Sequence, residues 1–165
     1  MQLNYPKLNI SDEEIENVSK LATIHDIGKL FTPYEILNKK GKLTKDEMDI
    51  IKKHPLNGAN MALKLPKCGK ASKLVQYAYN ICLYHHERYD GKGYPYGIKG
   101  EELPWMVRII SAADSLDAMN SNRCYRKHCD KDYIIGEFEK GAGTQFDKSV
   151  AETVITLIEE GRIVI

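Results

Sequence analysis

Apolar residues along the chain recur with the spacing of amphipathic helices, and the alternation typical of strands is not found. Two capping boxes, Ser11–Glu14 and Thr44–Glu47, mark helix starts, because each pairs a hydroxyl residue with a glutamate three positions later. One long segment is apolar on almost every side and is expected to form the central, buried helix. A segment rich in glycine and proline, residues 87–104, is predicted to be a loop. The predicted helices cover residues 11–28, 44–54, 57–65, 71–85, 105–119, 131–140 and 148–160.

The pattern therefore predicts an all-α protein, and the composition adds limits to that prediction. A length of 165 residues suits a single domain spanning residues 1–165. The formal net charge of +1 gives no basis for binding a nucleic-acid polymer or a membrane surface. The four cysteines lack CxxC spacing, which indicates reduced thiols and a cytoplasmic protein. The longest apolar stretch, residues 74–84, is too short to span a bilayer.

The clearest chemical signal is a pair of adjacent histidines, His85 and His86, at the end of the buried segment. His25 is followed at once by Asp26 in another apolar segment. His54 stands before a proline, and Asp114 interrupts a third apolar segment. An ionised carboxylate in apolar surroundings costs several kcal/mol unless a cation or several donors compensate it.

Each of these residues also has an ordinary interpretation. Asp114 could be satisfied by hydroxyls or a backbone amide, His54 could cap a helix, and His86 could lie on the surface. The set of four histidines and two aspartates nevertheless favours a metal site. Imidazole and carboxylate ligands suit iron, manganese, nickel or zinc. Because successive helical residues point about 100° apart, adjacent ligands such as His25 and Asp26 are best explained by a two-metal cluster.

Several further residues are suited to contact a phosphate or a base. Lys29 shares a helical flank with Asp26 and could hold a phosphate, although a simple salt bridge to Asp26 is the alternative. Arg123 and Arg126 follow the segment of Asp114, and guanidinium groups suit phosphate. The other candidates lie in the glycine-rich loop: Gly91, Gly93 and Pro95 predict a rigid turn that approaches a ligand, and Tyr94 could stack on a base.

Together these motifs resemble the HD-GYP domain, a branch of the HD metal-dependent phosphohydrolases. The resemblance extends from about residue 11 to about residue 147 and implies an all-helical bundle with two or three divalent metals. It further implies hydrolysis of cyclic di-GMP to pGpG or GMP, and contact of the Gly91–Pro95 loop with the substrate and with GGDEF domains. By motif position, the metal ligands would be His25, Asp26, His54, His85, His86 and Asp114, and the phosphate contacts would be Lys29, Arg123 and Arg126.

The resulting hypothesis is a cyclic dinucleotide phosphodiesterase in which Asp26 bridges two metals. A hydroxide held between them would attack phosphorus, and Lys29, Arg123 and Arg126 would stabilise the charge that develops. Iron or manganese is the expected metal, with nickel or zinc as alternatives, and a homodimer is compatible with the sequence.

The sequence departs from the family pattern at its start. Family members have one or two further helices before the His-Asp pair, and these carry an additional histidine or glutamate ligand. No histidine precedes His25, and the nearby glutamates occupy ordinary helix positions. The chain is then either part of a longer protein or a shortened member with an incomplete metal position. Two alternatives follow: an impaired module that binds cyclic di-GMP or a GGDEF partner, and an HD phosphohydrolase acting on another nucleotide.

Overall fold

The computed structural model describes residues 9–65, 70–121 and 129–165. The regular structure of these residues is helical and contains no β-strand, which confirms the all-α prediction. Two 3-10 helices, Ile27–Phe31 and Gly100–Glu102, accompany the α-helices. The α-helices are α1 (Asp12–Ala22), α2 (Tyr34–Leu37), α3 (Lys45–Ile51), α4 (His54–Ala62), α5 (Lys70–Tyr84), α6 (Trp105–Asn120), α7 (Lys131–Gly141) and α8 (Lys148–Glu159).

Helix α5 is the central element of the described fold, as the sequence predicts. It packs against α1, α4 and α6, and its buried side chains face all three neighbours. Ile81, Cys82 and Leu83 are completely buried in the second half of the helix. Burying side chains of the size of Ile81 or Leu83 contributes about 1.5–3 kcal/mol each. The end of α5 is therefore held rigidly, and the histidine pair follows directly after it.

Helices α6, α7 and α8 enclose a second cluster around Phe138 and Phe146, whose rings stack with centroids 4.7 Å apart. A partly buried ion pair joins Arg108 of α6 to Asp147 at 2.9 Å. Asp147 also caps α8 by accepting from the backbone amides of Ser149 and Val150. This pair fixes the start of α8 against α6, the helix that carries Asp114.

Both predicted capping boxes are present. The hydroxyl of Ser11 accepts from the amide of Glu14, and the carboxylate of Glu14 accepts from the amide of Ser11 at 3.0 Å. Thr44 and Glu47 form the same reciprocal pair at the start of α3. These pairs satisfy amides that the first turn of a helix leaves without intrahelical partners, so they determine where α1 and α3 begin.

The predicted end of the first helix is wrong. Helix α1 ends at Ala22 rather than near Gly28, and the chain then turns into the 3-10 helix Ile27–Phe31. The reason is tertiary: Gly28 lies so close to α4 that an added Cβ would stand 1.9 Å from the carbonyl oxygen of His54. Consequently His25, Asp26 and Lys29 do not share the flank of one α-helix.

The predicted start of the next helix is also wrong. Helix α4 begins at His54 rather than at residue 57, and Pro55 lies in its first turn. A proline is tolerated there because the amide it lacks would have no intrahelical partner. None of the described helices combines the length and the apolar character needed to cross a membrane.

Candidate metal centre

Four predicted ligands meet at one point in the structure. Asp26, His54, His85 and His86 each present one donor atom, and these atoms all lie within 4.8 Å of one another. Asp26 precedes the 3-10 helix, His54 is the first residue of α4, and the histidine pair follows α5. The contact between α4 and α5 therefore assembles most of the site.

Backbone carbonyls orient three of the histidine rings. A carbonyl oxygen only accepts a hydrogen bond, so the Nδ1 atom facing it carries a proton and Nε2 is turned toward the site. In each case the carbonyl belongs to a residue three positions earlier, at or near the end of a helix. The pairs are His25 with Ala22 at 2.8 Å, His54 with Ile51 at 2.8 Å, and His85 with Cys82 at 2.9 Å.

The converging atoms are rich in electrons. The Nε2 atoms of His54 and His85 lie 3.2 Å apart, and Oδ1 of Asp26 lies 3.1 Å from the first and 3.7 Å from the second. This Oδ1 atom is buried and accepts no hydrogen bond from the described residues. When both imidazole rings are neutral, Nε2 of His54, Nε2 of His85 and Oδ1 of Asp26 each direct a lone pair at the other two atoms. No proton lies between them. A divalent cation would satisfy all three, so the donor set fits a metal.

His25 and Asp114 extend the cluster on the other side of Asp26. Nε2 of His25 lies 3.4 Å from Oδ2 of Asp26 and 3.5 Å from Oδ1 of Asp114. The two oxygens of Asp26 thus face different groups: Oδ1 faces His54 and His85, and Oδ2 faces His25. All six predicted side chains therefore lie in one cluster around Asp26.

The electrostatics keep both carboxylates ionised. Burial opposes the ionisation of Asp26, but the neighbouring His25, His54 and His85 side chains and the Lys29 ammonium outweigh it and hold the pKa of Asp26 well below the usual range. The bond from His25 lowers the pKa of Asp114. In turn, Asp114 and Asp26 raise the pKa of His25 to about 10, so without a metal this ring carries the positive charge.

The structure also bears on the alternatives in which these residues have ordinary roles as salt-bridge partners, helix caps or surface side chains. The Lys29 ammonium donates to Oδ2 of Asp26, so the simple salt bridge is present in the structure. His54 does bond the last carbonyl of α3, yet its Nε2 atom also reaches the cluster. Within the described residues, the partner of Asp114 is His25, and no hydroxyl or amide bonds to it. His86 lies within the cluster, and burial lowers its pKa to about 3.

The predicted glycine-rich loop folds back onto the histidine pair. The ring of Tyr94 stacks on His86, with centroids 4.8 Å apart and planes 24° apart. At Gly93, an added Cβ would stand 2.4 Å from the amide nitrogen of Arg88 and 2.6 Å from the carbonyl oxygen of His86. Gly93 is therefore required for the close approach of the loop, as the sequence analysis expects of a glycine there.

Sequence reasoning missed a carboxylate that holds this loop. Glu87 is buried directly after the histidine pair, and its Oε1 atom accepts from the amides of Tyr96 at 2.7 Å and Gly97 at 3.0 Å. Its position between the histidines and the glycines was the available signal. A carboxylate at the start of a tight loop is a natural acceptor for loop amides.

A cavity of about 160 Å³ adjoins the predicted ligands. Two of the residues that line it were also missed, Arg88 and Gln145, which bond to each other at 3.2 Å across the loop. Arg88 in addition forms a two-bond pair with Asp90.

The predicted phosphate contacts Arg123 and Arg126 lie outside the described residues.

Comparison with known proteins agrees with this geometry. The HD domain family model matches residues 5–150. The chain belongs to the HD domain family. It is 36% identical over 149 residues, 90% of its length, to the cyclic di-GMP phosphodiesterase response regulator RpfG of Xanthomonas campestris, of which it covers 38%. It is 34% identical over 154 residues, 93% of its length, to a cyclic di-GMP phosphodiesterase of Thermotoga maritima, of which it covers 40%.

A third relative of this HD-family chain has a different substrate in its name. The 3′3′-cGAMP-specific phosphodiesterase 2 of Vibrio cholerae is 30% identical over 146 residues, 88% of the chain and 27% of that protein. The chain thus spans between 27% and 40% of the length of these three relatives. The predicted HD-GYP resemblance is confirmed, since relatives across most of the chain are named cyclic di-GMP phosphodiesterases.

Proposed function

We propose that residues 1–165 form a single HD-type domain that hydrolyses cyclic di-GMP to pGpG or GMP in a metal-dependent reaction. The observation that carries the proposal is the convergence of Asp26, His54, His85 and His86 within 4.8 Å, beside a pocket. Relatives named as cyclic di-GMP phosphodiesterases support the choice of substrate.

The six clustered side chains would hold two divalent metals, with Asp26 shared between them. Bound metals supply an activated water nucleophile and neutralise charge on the phosphate. Iron or manganese is the expected metal, and nickel or zinc also suits this mixture of nitrogen and oxygen ligands. The ligands would be His54, His85 and His86 on one side of Asp26, and His25 and Asp114 on the other.

The remaining residues would orient the substrate. Lys29 now pairs with Asp26, and a metal on that carboxylate would compete for the same oxygens and leave the ammonium available to a phosphate. Arg123 and Arg126 would contact phosphates as the resemblance implies. The Gly91–Pro95 loop would lie beside the substrate and offer a contact for a GGDEF partner. Free, buried Cys82 and Cys129 favour the cytoplasm, and a homodimer is compatible with the proposal.

The test is product formation by purified protein loaded with manganese or iron. We expect linear product from cyclic di-GMP, detected by chromatography, and a loss of at least about 100-fold in the Asp26→Asn variant because metal stabilisation of the transition state is worth several kcal/mol. Elemental analysis should show fewer ions per chain in this variant. Asp117→Asn, an exposed residue on α6, is the matched control and should retain both properties.

Two other outcomes would redirect the proposal. Binding of cyclic di-GMP without any product would favour the impaired binding module. Faster turnover of 3′3′-cGAMP or of a mononucleotide than of cyclic di-GMP would favour the other alternative, as the Vibrio cholerae relative suggests. Full activity of a folded Asp26→Asn protein would contradict the role given to the metal site.

A further inference from the structure

His86 differs from the other three histidines of the cluster in how its ring is held. His25, His54 and His85 each direct Nδ1 to a backbone carbonyl. For His86, no hydrogen bond to either ring nitrogen is present among the residues that the structure describes. A ligand ring needs a partner that fixes its orientation, and such outer partners commonly affect metal affinity by 10–100-fold.

The contact that does hold the His86 ring is aromatic. Tyr94 stacks on it nearly face to face, whereas His85 and His54 meet it at larger angles of 42° and 88°. The amide of Tyr94 also donates to the carbonyl oxygen of His86 at 3.3 Å. Tyr94 therefore contacts both the ring and the backbone of the same ligand.

Tyr94 is in turn held in place by its own loop. The two amide bonds to Glu87 lie just after Tyr94, and the close approach at Gly93 lies just before it. The Lys52 ammonium lies 5.3 Å from the centroid of the Tyr94 ring, a distance typical of a cation–π contact. The ring is thus restrained on the loop rather than free to swing away from His86.

We propose that Tyr94 is a positioning residue that orients His86 for metal binding by stacking on its imidazole ring. The stack does for His86 what the carbonyl bonds do for the other three histidines. This inference rests on the metal site of the proposed function, but not on its substrate. It also gives the loop a role in the protein alone, before any nucleotide or partner binds.

The test measures Co²⁺ affinity and the visible absorption of bound Co²⁺, which reports the ligand set directly. We expect Tyr94→Ala to weaken Co²⁺ binding about tenfold and to change the absorption spectrum. Tyr94→Phe keeps the ring and should stay within about threefold of the wild type. Tyr96→Ala is the matched control, because it removes an exposed aromatic side chain two residues away in the same loop.

A double-mutant cycle separates positioning from a general loss of structure. If Tyr94 acts through His86, then Tyr94→Ala should have almost no further effect on Co²⁺ affinity in a His86→Ala background. Equal effects of Tyr94→Ala in both backgrounds, or equal effects of Tyr94→Ala and Tyr96→Ala, would overturn the inference. A wild-type protein that binds no Co²⁺ would overturn the metal site itself, whereas a wild type that binds Co²⁺ but hydrolyses no cyclic di-GMP would contradict only the proposed substrate.

Discussion

Gly93 determines how closely the loop lies against the histidine pair. The backbone atoms of His86, Glu87 and Arg88 occupy the space where a side chain at position 93 would begin. Backbone atoms cannot rotate aside as the end of a flexible side chain can. A glycine is therefore required at position 93 because these backbone atoms leave no room for a side chain. The stacking of Tyr94 on His86 depends on this close approach.

We expect Gly93→Ala to destabilise the protein by about 1–3 kcal/mol, the usual cost of inserting a methyl group into a packed site. The measurement is urea unfolding of the metal-free protein. Gly136→Ala is the control, since nothing lies within 4 Å of a Cβ at that position in α7. This control should stabilise the helix by about 0.5–1 kcal/mol. Similar free energies of unfolding for the two variants would show that the loop backbone shifts to accept the added methyl group at position 93.

The six clustered side chains could be selected as candidate ligands from the sequence, because histidine and aspartate carry their chemistry wherever the chain places them. Ring orientation could not be predicted in the same way. It depends on carbonyls such as that of Ile51, which become available only once α3 has ended. The pairing of Arg88 with Gln145 joins residues 57 positions apart, and no local pattern signals it.

At the scale of elements, helix boundaries set by neighbouring residues could be predicted from the sequence. Helix boundaries set by tertiary contacts could not. The capping boxes of α1 and α3 were found because all their partners lie within four residues. The end of α1 was missed because the approach of Gly28 to His54 on α4 determines the path of the chain there. The start of α4 was missed because a proline can either follow a helix or open one.

The attachment of α1 to α5 gives a prediction at this scale. Glu14 accepts from Lys73 and from Tyr77, each at 2.7 Å, and these bonds lower the pKa of Glu14 to about 2 from its ordinary 4.5. Because the folded protein favours the ionised form, Glu14 stabilises it fully above about pH 4.5. This contribution is lost as the pH falls from 4.5 toward 2.

We therefore expect Glu14→Gln to lower the melting temperature clearly at pH 7 and by a smaller amount at pH 3. Thermal unfolding followed by circular dichroism at both pH values is the measurement. Glu16→Gln is the control, because the partner of Glu16 in the described part of the chain is Lys20 on the exposed surface of the same helix, and such pairs contribute little. A Glu14→Gln difference that stays constant between the two pH values would exclude this role for the carboxylate.

At the scale of the whole molecule, the site joins separate parts of the chain. Asp26 lies in the turn after α1, and His54 is the first residue of α4. The histidine pair follows the end of α5, and Asp114 lies on α6. The sequence predicted that α5 is central, since an apolar helix must be covered on all sides. It did not predict that the histidine loop is tied to the α7–α8 connection through the amides of Tyr89 and Asp90.

A bound metal should therefore stabilise the whole fold. At a free Mn²⁺ concentration 100 times its dissociation constant, the expected gain is about 2.7 kcal/mol. For a protein of this size that gain corresponds to a rise of roughly 5–10 °C in melting temperature. Differential scanning calorimetry with Mn²⁺ and with a chelator measures it. The Asp26→Asn variant should show little shift, and an equal shift in that variant would indicate that Mn²⁺ binds elsewhere.

The carbonyls that orient His25, His54 and His85 have a further consequence, because they belong to the final turns of α1, α3 and α5. A helix carries a partial negative charge at that end. Three such ends converge on a cavity that already contains two ionised aspartates. This field favours positive charge in the cavity, which the metal-free protein supplies as the protonated His25 ring and the Lys29 ammonium. If the proposed function holds, a divalent metal would take the place of these two cations next to the aspartates, and we expect it to enter the site before the anionic substrate does.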